Sequence, residues 1–306
     1  MPQAKDFLDQ LRPTVSLEKE KLKIDQFVQH QQLNNVPTVL VTSGSMNVPL
    51  EKNTVRFIAN FSRGTRGANS CEVEFLKNGY AVIYLHHSTA TMPFKQHCDL
   101  SISNNDYILS EQNILVNESK GKVELMKEYI TLFSDVNSQN RLLQIKYVTL
   151  FQYVLLLELC CSSLNILDSK AVVYSAAAVS DFYVPLEEMS EHKIQSRDLD
   201  GGMTITLKQT PKLLGLIKSI WCPKAFLISF KLESDEHIIE KKASQSLHTY
   251  NCDVVVSNLL HNYETQVKLY EKGENGELLN LTITKQHDRL ENILIPLLCN
   301  KHSKHL

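Results

Sequence analysis

Several common chemistries are ruled out by what the chain lacks. Its seven cysteines stand at positions 71, 98, 160, 161, 222, 252 and 299, and none forms a Cys-x-x-Cys pair. That spacing offers no zinc ribbon and no dithiol motif. It reads as reduced thiols used as small hydrophobes. The formal net charge is -2, so no basic field points to nucleic acid. Neither the G-x-x-x-x-G-K-[ST] phosphate loop nor the G-x-G-x-x-G dinucleotide fingerprint occurs, and there is no G-x-S-x-G elbow. None of the eleven tyrosines has a lysine four residues later, which disfavours a short-chain nicotinamide-dependent reductase. The eleven histidines have no partner at triad or metal-ligand spacing. The N-terminal stretch "MPQAKDFLDQLRPTVSLEKEK" has neither an apolar signal core nor an Arg-rich transit pattern. The longest apolar run, residues 147–167, is interrupted by Gln152, Glu158, Ser162, Ser163 and Asn165, and it predicts a buried helix rather than a membrane span. The expectation is a cytoplasmic protein with no membrane or nucleic-acid partner and no protein-held metal.

What is present is an alternation of buried β runs and helical segments. Hydrophobic residues make up 43% of the 306 positions, enough for a sizeable core. A surface helix is predicted over 16–35 with Ser16 as N-cap. "VPTVLVTSG" reads as a buried strand, 66–78 as a helix ended by Gly79, and "YAVIYLHH" as a second strand. Residues 88–140 read as an irregular excursion with short elements, and 139–167 as helix. "AVVYS", "KAFLISFKLE" and "CDVVVSNLL" are further strands, with a helix after Asp235. Asn275-Gly276 marks a hairpin, and a last helix over 286–299 is expected to bend or end at Pro296. This order predicts an α/β fold with a doubly wound, mostly parallel sheet, which binds ligands at the carboxyl ends of its strands.

Distinctive residues fall at those ends. Gly44 follows "VLVTS", Ala177, Ala178 and Asp181 follow "VVYS", Phe230 follows "FLIS" and Asn258 follows "VVVS". Between the first strand and its helix lies "NFSRGTRGANS", residues 60–70. Gly64 and Gly67 would let backbone N–H groups approach an anion at a helix start, with Ser62 as hydroxyl donor and Arg63 or Arg66 as added charge. The alternative is a tight strand-to-helix turn. Asn60 and Asn258 are neutral amides able to bind a carbonyl or carboxylate. Lys193 lies in an extended polar segment and Lys212 at a predicted helix start, where a bound phosphate would neutralise it.

The strings "VTSG", "VPLE", "VRFIANFSRGTRGA", "AAAVSDFYVP", "EHKIQS", "PKAFLISFKLE" and "VVVSNLL" closely resemble, in order, the stand-alone eukaryotic phosphopantothenate–cysteine ligases. The likeness runs from about residue 37 to 260 and is faint over 88–140. It implies a Rossmann-like sheet with a small β-rich dimerisation flap. The implied layout is one domain over 1–306, with a nucleotide-binding βαβ unit at 36–87, a variable excursion at 88–140 and the flap at 183–210. The implied reaction is ATP-dependent amide formation between 4'-phosphopantothenate and L-cysteine through an acyl-adenylate, in coenzyme A biosynthesis. Magnesium accompanies the nucleotide, CTP is the alternative to ATP, and the enzyme is a homodimer. The resemblance assigns Gly44, Ser62, Gly64, Gly67, Phe230 and Asn258 to the nucleotide. It assigns Asn60, Ala177, Ala178 and Asp181 to phosphopantothenate, the alanines and Asp181 from the partner subunit. Asn60 would grip the reacting carboxyl, and Lys193 of the flap would balance phosphate or transition-state charge.

The chain departs from the family's usual G-G-T at Gly44-Ser45-Met46. If Ser45 needed a positive φ, its Cβ would cost about 1 kcal/mol, and Met46 would remove a hydroxyl from the phosphate region. A non-catalytic binding protein on the same fold is the rival reading that this departure raises.

Overall fold

The computed structural model describes residues 2–95, 107–110, 113–116, 123–195, 202–285 and 289–306. In chain order the strands are β1 (Thr38–Ser43), β2 (Asn47–Pro49), β3 (Phe57–Ala59), β4 (Ala81–His87), β5 (Tyr107–Ser110), β6 (Asn113–Val116) and β7 (Leu142–Tyr147). They continue with β8 (Ala171–Ser175), β9 (Phe182–Tyr183), β10 (Lys208–Gln209), β11 (Phe226–Glu233), β12 (Val254–Leu259), β13 (Gln266–Lys272) and β14 (Leu278–Thr284). The helices are α1 (Pro2–Leu11), α2 (Glu18–Leu33), α3 (Thr65–Asn69), α4 (Val123–Ser138), α5 (Leu150–Leu164), α6 (Leu214–Leu216), α7 (Glu236–Thr249) and α8 (Glu291–Ser303).

Eight strands form one sheet in the order β14-β13-β12-β11-β8-β1-β4-β7. The pairs from β12 through β7 are parallel, and the β12–β13–β14 edge is antiparallel. The central strand β1 is buried along its whole length, as a parallel strand covered on both faces must be. Alternate side chains divide the interior. Leu40, Ile83, Val173 and Leu227 face α1, α2, α5 and α7, where Phe7, Ile24, Phe27, Leu156 and Leu247 cover them. Val41, Val82, Tyr174 and Ile228 face the other way, under Phe75, Val136 and Leu294 of the α3, α4 and α8 side.

The doubly wound, mostly parallel sheet is as expected, but several local elements differ. The first long helix begins at Glu18 with Leu17 at its N-cap and no side-chain cap, so Ser16 does not fill that role. Within 88–140 the described residues hold the β5–β6 hairpin and the sixteen-residue helix α4. The single helix expected over 139–167 is instead the edge strand β7 followed by α5. Ile145 and Tyr147 are buried while Gln144 and Lys146 are exposed, a period of two. Thr149 stops the strand and starts the helix. Its hydroxyl accepts from Gln152 N–H, and Gln152 Oε1 accepts from Thr149 N–H, a complete capping box. The apolar α5 is a core helix, packed on α1 and α2. Pro296 does not end α8, which runs on to Ser303. Pro296 and Asn292, whose carbonyl loses its intrahelical donor, both lie on the exposed side, where water can take over that bond.

The capping box makes Thr149 a stability determinant. Thr149→Ala is expected to cost about 1 kcal/mol, read as a lower denaturant midpoint with an unchanged slope. A midpoint equal to that of the parent would mean that α5 starts without help from this side chain.

Candidate functional site

At the carboxyl end of β1 the chain turns at Gly44, which has φ +92°. A Cβ there would lie 2.9 Å from His87 Cβ and 3.0 Å from Ala90 Cβ. Gly44 therefore carries the positive φ of this turn, and Ser45 is not among the positive-φ residues. The strain expected at Ser45 does not arise. Met46 is fully buried in the core with Val48 and Leu50, so a hydroxyl at this position would be turned inward.

The 60–70 loop is fastened to the same strand end. Ser43 Oγ donates to the Gly64 carbonyl at 2.9 Å, and the Tyr84 hydroxyl lies 2.9 Å from Ser43 Oγ and 2.7 Å from the Thr91 carbonyl. Thr91 donates from its N–H and its Oγ1 to the Arg63 carbonyl, at 2.8 and 3.0 Å. Gly64 has φ +72° and donates to Ser62 Oγ at 3.3 Å. A Cβ on Gly64 would lie 2.7 Å from Ser43 Oγ, and one on Gly67 2.5 Å from the same atom. Both missing side chains thus face β1, and close packing by itself demands glycine at 64 and 67. Arg66 is committed elsewhere: its guanidinium pairs with buried Glu291 at 3.1 Å and donates to the Tyr263 carbonyl at 2.6 Å. Arg63 remains exposed at the loop surface.

The loop after β8 is stitched to this turn. Ala177 N–H donates to Thr42 Oγ1 at 3.1 Å, and Ala178 N–H donates to the Gly44 carbonyl at 2.9 Å. Asn60 Nδ2 donates to the Val179 carbonyl at 3.3 Å. Asn60 and Asp181 line one cleft of about 240 Å³ with Val48, Ile58, Ser180, Phe182 and Leu207. Asp181 pairs with Lys212, two residues before the short helical stretch begun by α6. Asn60 and Asp181 of a single chain therefore share this cleft.

Phe230 and Asn258 lie on the far side of β8. Phe230 is not a strand end, since β11 runs three residues further to Glu233. It does lie just past the end of β8, because Ser229 pairs with Ser175. Its ring meets Tyr174 edge-on at 4.8 Å, and the Tyr174 hydroxyl is 2.9 Å from Ser70 Oγ. Asn258 is buried, and its amide donates to the carbonyls of Tyr263 and Gln266 at 3.3 and 3.4 Å, which closes the 259–266 turn. Arg66 and Asn258 thus hold the same Tyr263 carbonyl from two sides.

Lys193 stands apart. Among the described residues no contact joins its exposed ammonium to Asn60 or Asp181. Its segment is tied to the β2–β3 connection: Lys52 N–H donates to the Ser190 carbonyl at 2.9 Å, and Ile194 N–H to Glu51 Oε1 at 3.5 Å. Glu51 was not singled out from the sequence, yet it organises this region. Its buried carboxylate accepts from Val55 N–H at 3.2 Å, from Arg56 N–H at 2.9 Å and from the Arg56 guanidinium at 2.8 Å. Burial works to raise its pKa, but the bonds from Arg56, Val55 and Ile194 outweigh it and hold the group below the ordinary glutamate value. The signal for it was a lone acid closing the apolar run "NVPL".

A parallel sheet with a glycine-lined turn on one side of β1 and a cleft on the other is the layout of a doubly wound α/β protein that binds small molecules at its carboxyl edge. Comparison with known proteins narrows the class. The family described as "DNA/pantothenate metabolism flavoprotein C-terminal domain" matches residues 136–290. Phosphopantothenate–cysteine ligase 2 of Oryza sativa subsp. japonica is 39% identical over 269 residues, covering 88% of this chain and 81% of that protein. Phosphopantothenate–cysteine ligase CAB2 of Saccharomyces cerevisiae is 36% identical over 285 residues, covering 87% and 76%. A solved structure of a Cab2 mutant in complex with phosphopantothenate-cysteine superimposes with a TM-score of 0.83 at 34% identity, covering 94% of each chain. The chain belongs to the phosphopantothenate–cysteine ligase family, whose members are carbon–nitrogen ligases.

Two outcomes follow from the packing. In Gly67→Ala, the new methyl must push α3 off Ser43, so a loss of about 1–3 kcal/mol is expected, read as a lower melting temperature. Glu51 has a folded pKa below its unfolded value, so its contribution is fully present above the ordinary glutamate pKa and fades as pH falls through the folded one. In Glu51→Gln the acid limb of stability against pH should flatten. An unchanged limb in a denaturant titration from pH 7 to 3 would remove Glu51 as its source.

Proposed function

We propose that the protein joins 4'-phosphopantothenate to L-cysteine in an amide bond, driven by ATP, with CTP as the alternative nucleotide, as a step of coenzyme A biosynthesis. The observation that carries this reading is the position of Asn60. It lies at the end of the 60–64 turn and lines the cleft shared with Asp181. A nucleotide on the glycine-turn side and a carboxylate in the cleft would meet at its amide.

The reaction asks for little from protein nucleophiles. A substrate carboxylate oxygen attacks the α-phosphorus, the α–β phosphoanhydride bond breaks and pyrophosphate leaves. The cysteine amine then attacks the acyl carbon, the carbon–oxygen bond to the nucleotide breaks, AMP leaves and the amine gives up a proton. The first step brings two anions together, so positioning and charge balance are the main requirements. Asn60 suits the carboxylate because its amide donates without adding charge. Gly44, Ser62, Gly64 and Gly67 lie at the turn proposed for the phosphates, and half-buried Phe230 and buried Asn258 beyond β8 suit the rest of the nucleotide. Ala177, Ala178 and Asp181 are proposed to border phosphopantothenate. Magnesium is proposed to arrive on the nucleotide phosphates.

A homodimer is also proposed. Phe57, Phe61 and Phe182 are 51%, 86% and 52% exposed around the cleft mouth, an apolar rim that a second copy would cover. The segment 183–210, including Lys193, is proposed as the dimerisation flap.

The test is pyrophosphate release from magnesium, 4'-phosphopantothenate and ATP or CTP, with and without L-cysteine. Cysteine-dependent turnover with AMP formation is expected. Asn60→Asp should lower turnover by roughly 100-fold or more by setting a negative charge beside the reacting carboxylate. A folded protein that releases no pyrophosphate with either nucleotide would overturn the ligase reading, and wild-type turnover in the variant would overturn the role of Asn60.

A further inference from the structure

One cation of the central sheet has no role in the proposed reaction. Lys231 follows Phe230 on β11, and strand alternation sends the two side chains to opposite faces of the sheet. Phe230 packs on the Tyr174 side, while Leu227, two pleats before Lys231, packs on the side of α5 and α7. Lys231 therefore lies on the face of the sheet covered by the layer of Leu213, Ala177 and Val48, the last of which lines the cleft. It is half-buried, and among the described residues it makes no ion pair or hydrogen bond. Burial, and next the charge of Lys212, hold its pKa below the ordinary lysine range, while Cys252, Glu233 and Asp181 act more weakly in the other direction.

A half-buried ammonium without an ion-pair partner is unfavourable. Lys212 is already paired with Asp181, so the uncompensated charge falls on Lys231. Two buried hydroxyls, one on the strand paired with Lys231 and one on the segment of Lys212, are without partners. Ser257 sits opposite Lys231 in the β11–β12 register and is 1% exposed. Thr210 is 3% exposed, and its N–H donates to the Asp181 carbonyl at 2.8 Å. Neither hydroxyl oxygen has a hydrogen-bond partner. Cations and spare hydroxyl donors gathered at strand ends are the makings of a site for an oxyanion.

We infer that Lys231, with Lys212 at the rim, forms an anion subsite on the cleft side of the sheet that takes the phosphate monoester of the acid substrate, at the end remote from the carboxylate held by Asn60. This rests on the ligase reading. The nucleotide phosphates are the other source of such an anion. They are disfavoured because Lys231 and Phe230 point to opposite faces of β11. The subsite makes Lys231 a determinant of specificity for the phosphorylated over the unphosphorylated acid, with no part in bond making.

The experiment is Lys231→Met, with Lys231→Arg as its charged control. The KM for 4'-phosphopantothenate, ATP and L-cysteine would be measured, together with calorimetric binding of 4'-phosphopantothenate and of pantothenate. In Lys231→Met, KM and Kd for 4'-phosphopantothenate should rise about 10- to 100-fold, with nucleotide and cysteine KM within about twofold. Preference for the phosphorylated acid should collapse, and Lys231→Arg should recover most of it. An unchanged preference in a folded Lys231→Met protein would overturn the proposal, as would a rise confined to the nucleotide KM. Should Lys231→Met melt far below the parent, the arginine variant decides: parent-like melting with parent-like discrimination supports the charge role, and loss of discrimination in that folded variant overturns it. Calorimetry needs no turnover, so failure of the ligase reading would appear as a parent that binds the acid but releases no pyrophosphate.

Discussion

The architecture of the site depends on the end of one strand. Ser43, the last residue of β1, is buried, and each of its polar side-chain and carbonyl groups holds another part of the chain. Its hydroxyl donates to Gly64 and lies beside the Tyr84 hydroxyl, and its carbonyl accepts from the Tyr147 hydroxyl at 2.8 Å. One residue later, the Gly44 carbonyl receives Ala178. Three loops are thereby registered against one another, those after β1, β4 and β8. A buried network of this kind fixes geometry strongly, because every missing bond would leave a desolvated group unpaired. The two tyrosines involved sit on β4 and β7, so the strands at one end of the sheet help fix the loops at its centre.

The sheet then acts as a partition. Parallel strands with alternating side chains place neighbours such as Phe230 and Lys231 in different environments, one aromatic and one cationic. A reaction between a nucleotide and a second, extended acid suits such a partition. Each substrate can have its own layer of protein, and contact is confined to the strand edge where Asn60 stands. The altered turn at Ser45 and Met46 does not disturb this, since Gly44 alone carries the unusual backbone and Met46 fills the core. The rival reading of a non-catalytic protein loses its motive with that observation.

The sheet was legible because its strands are continuous apolar runs separated by helical periods, and burial on both faces makes such runs long and unambiguous. The strand β7 was not, because an edge strand needs apolar residues only at alternate positions, and "LLQIKY" abuts a far stronger helical signal. The T-x-x-Q box at Thr149 could have placed the boundary. The candidate site was legible in part as a set of strand ends: Gly44, Asn60, Ala178 and Asp181 come together, whereas Phe230 lies within β11. What could not be read was the duty of each residue. Gly64 and Gly67 signal an open loop in sequence, whereas in space their missing side chains face Ser43. Arg66 and Asn258 look like ligand-binding groups, yet their donors hold the Tyr263 carbonyl. Sequence spacing cannot tell a donor used internally from one left for a ligand, because the competing acceptors come from distant segments.

That distinction organises the charges as well. Two cations near the strand ends have a buried anion of their own: Arg66 has Glu291 and Arg56 has Glu51. Such pairs contribute rigidity and leave little net field for an anionic ligand to feel. The cations without an ion pair among the described residues are therefore the informative ones, and three lie in or near the loops of this region: Arg63 on the 60–70 turn, Lys193 on the segment after β9, and Lys231 on β11. In the proposed reaction the negative charge is divided, between a triphosphate, a reacting carboxylate and a remote phosphate monoester. Bringing such anions together without a protein nucleophile is served by cations that are not already neutralised inside the fold, because only these retain a field that a ligand can feel.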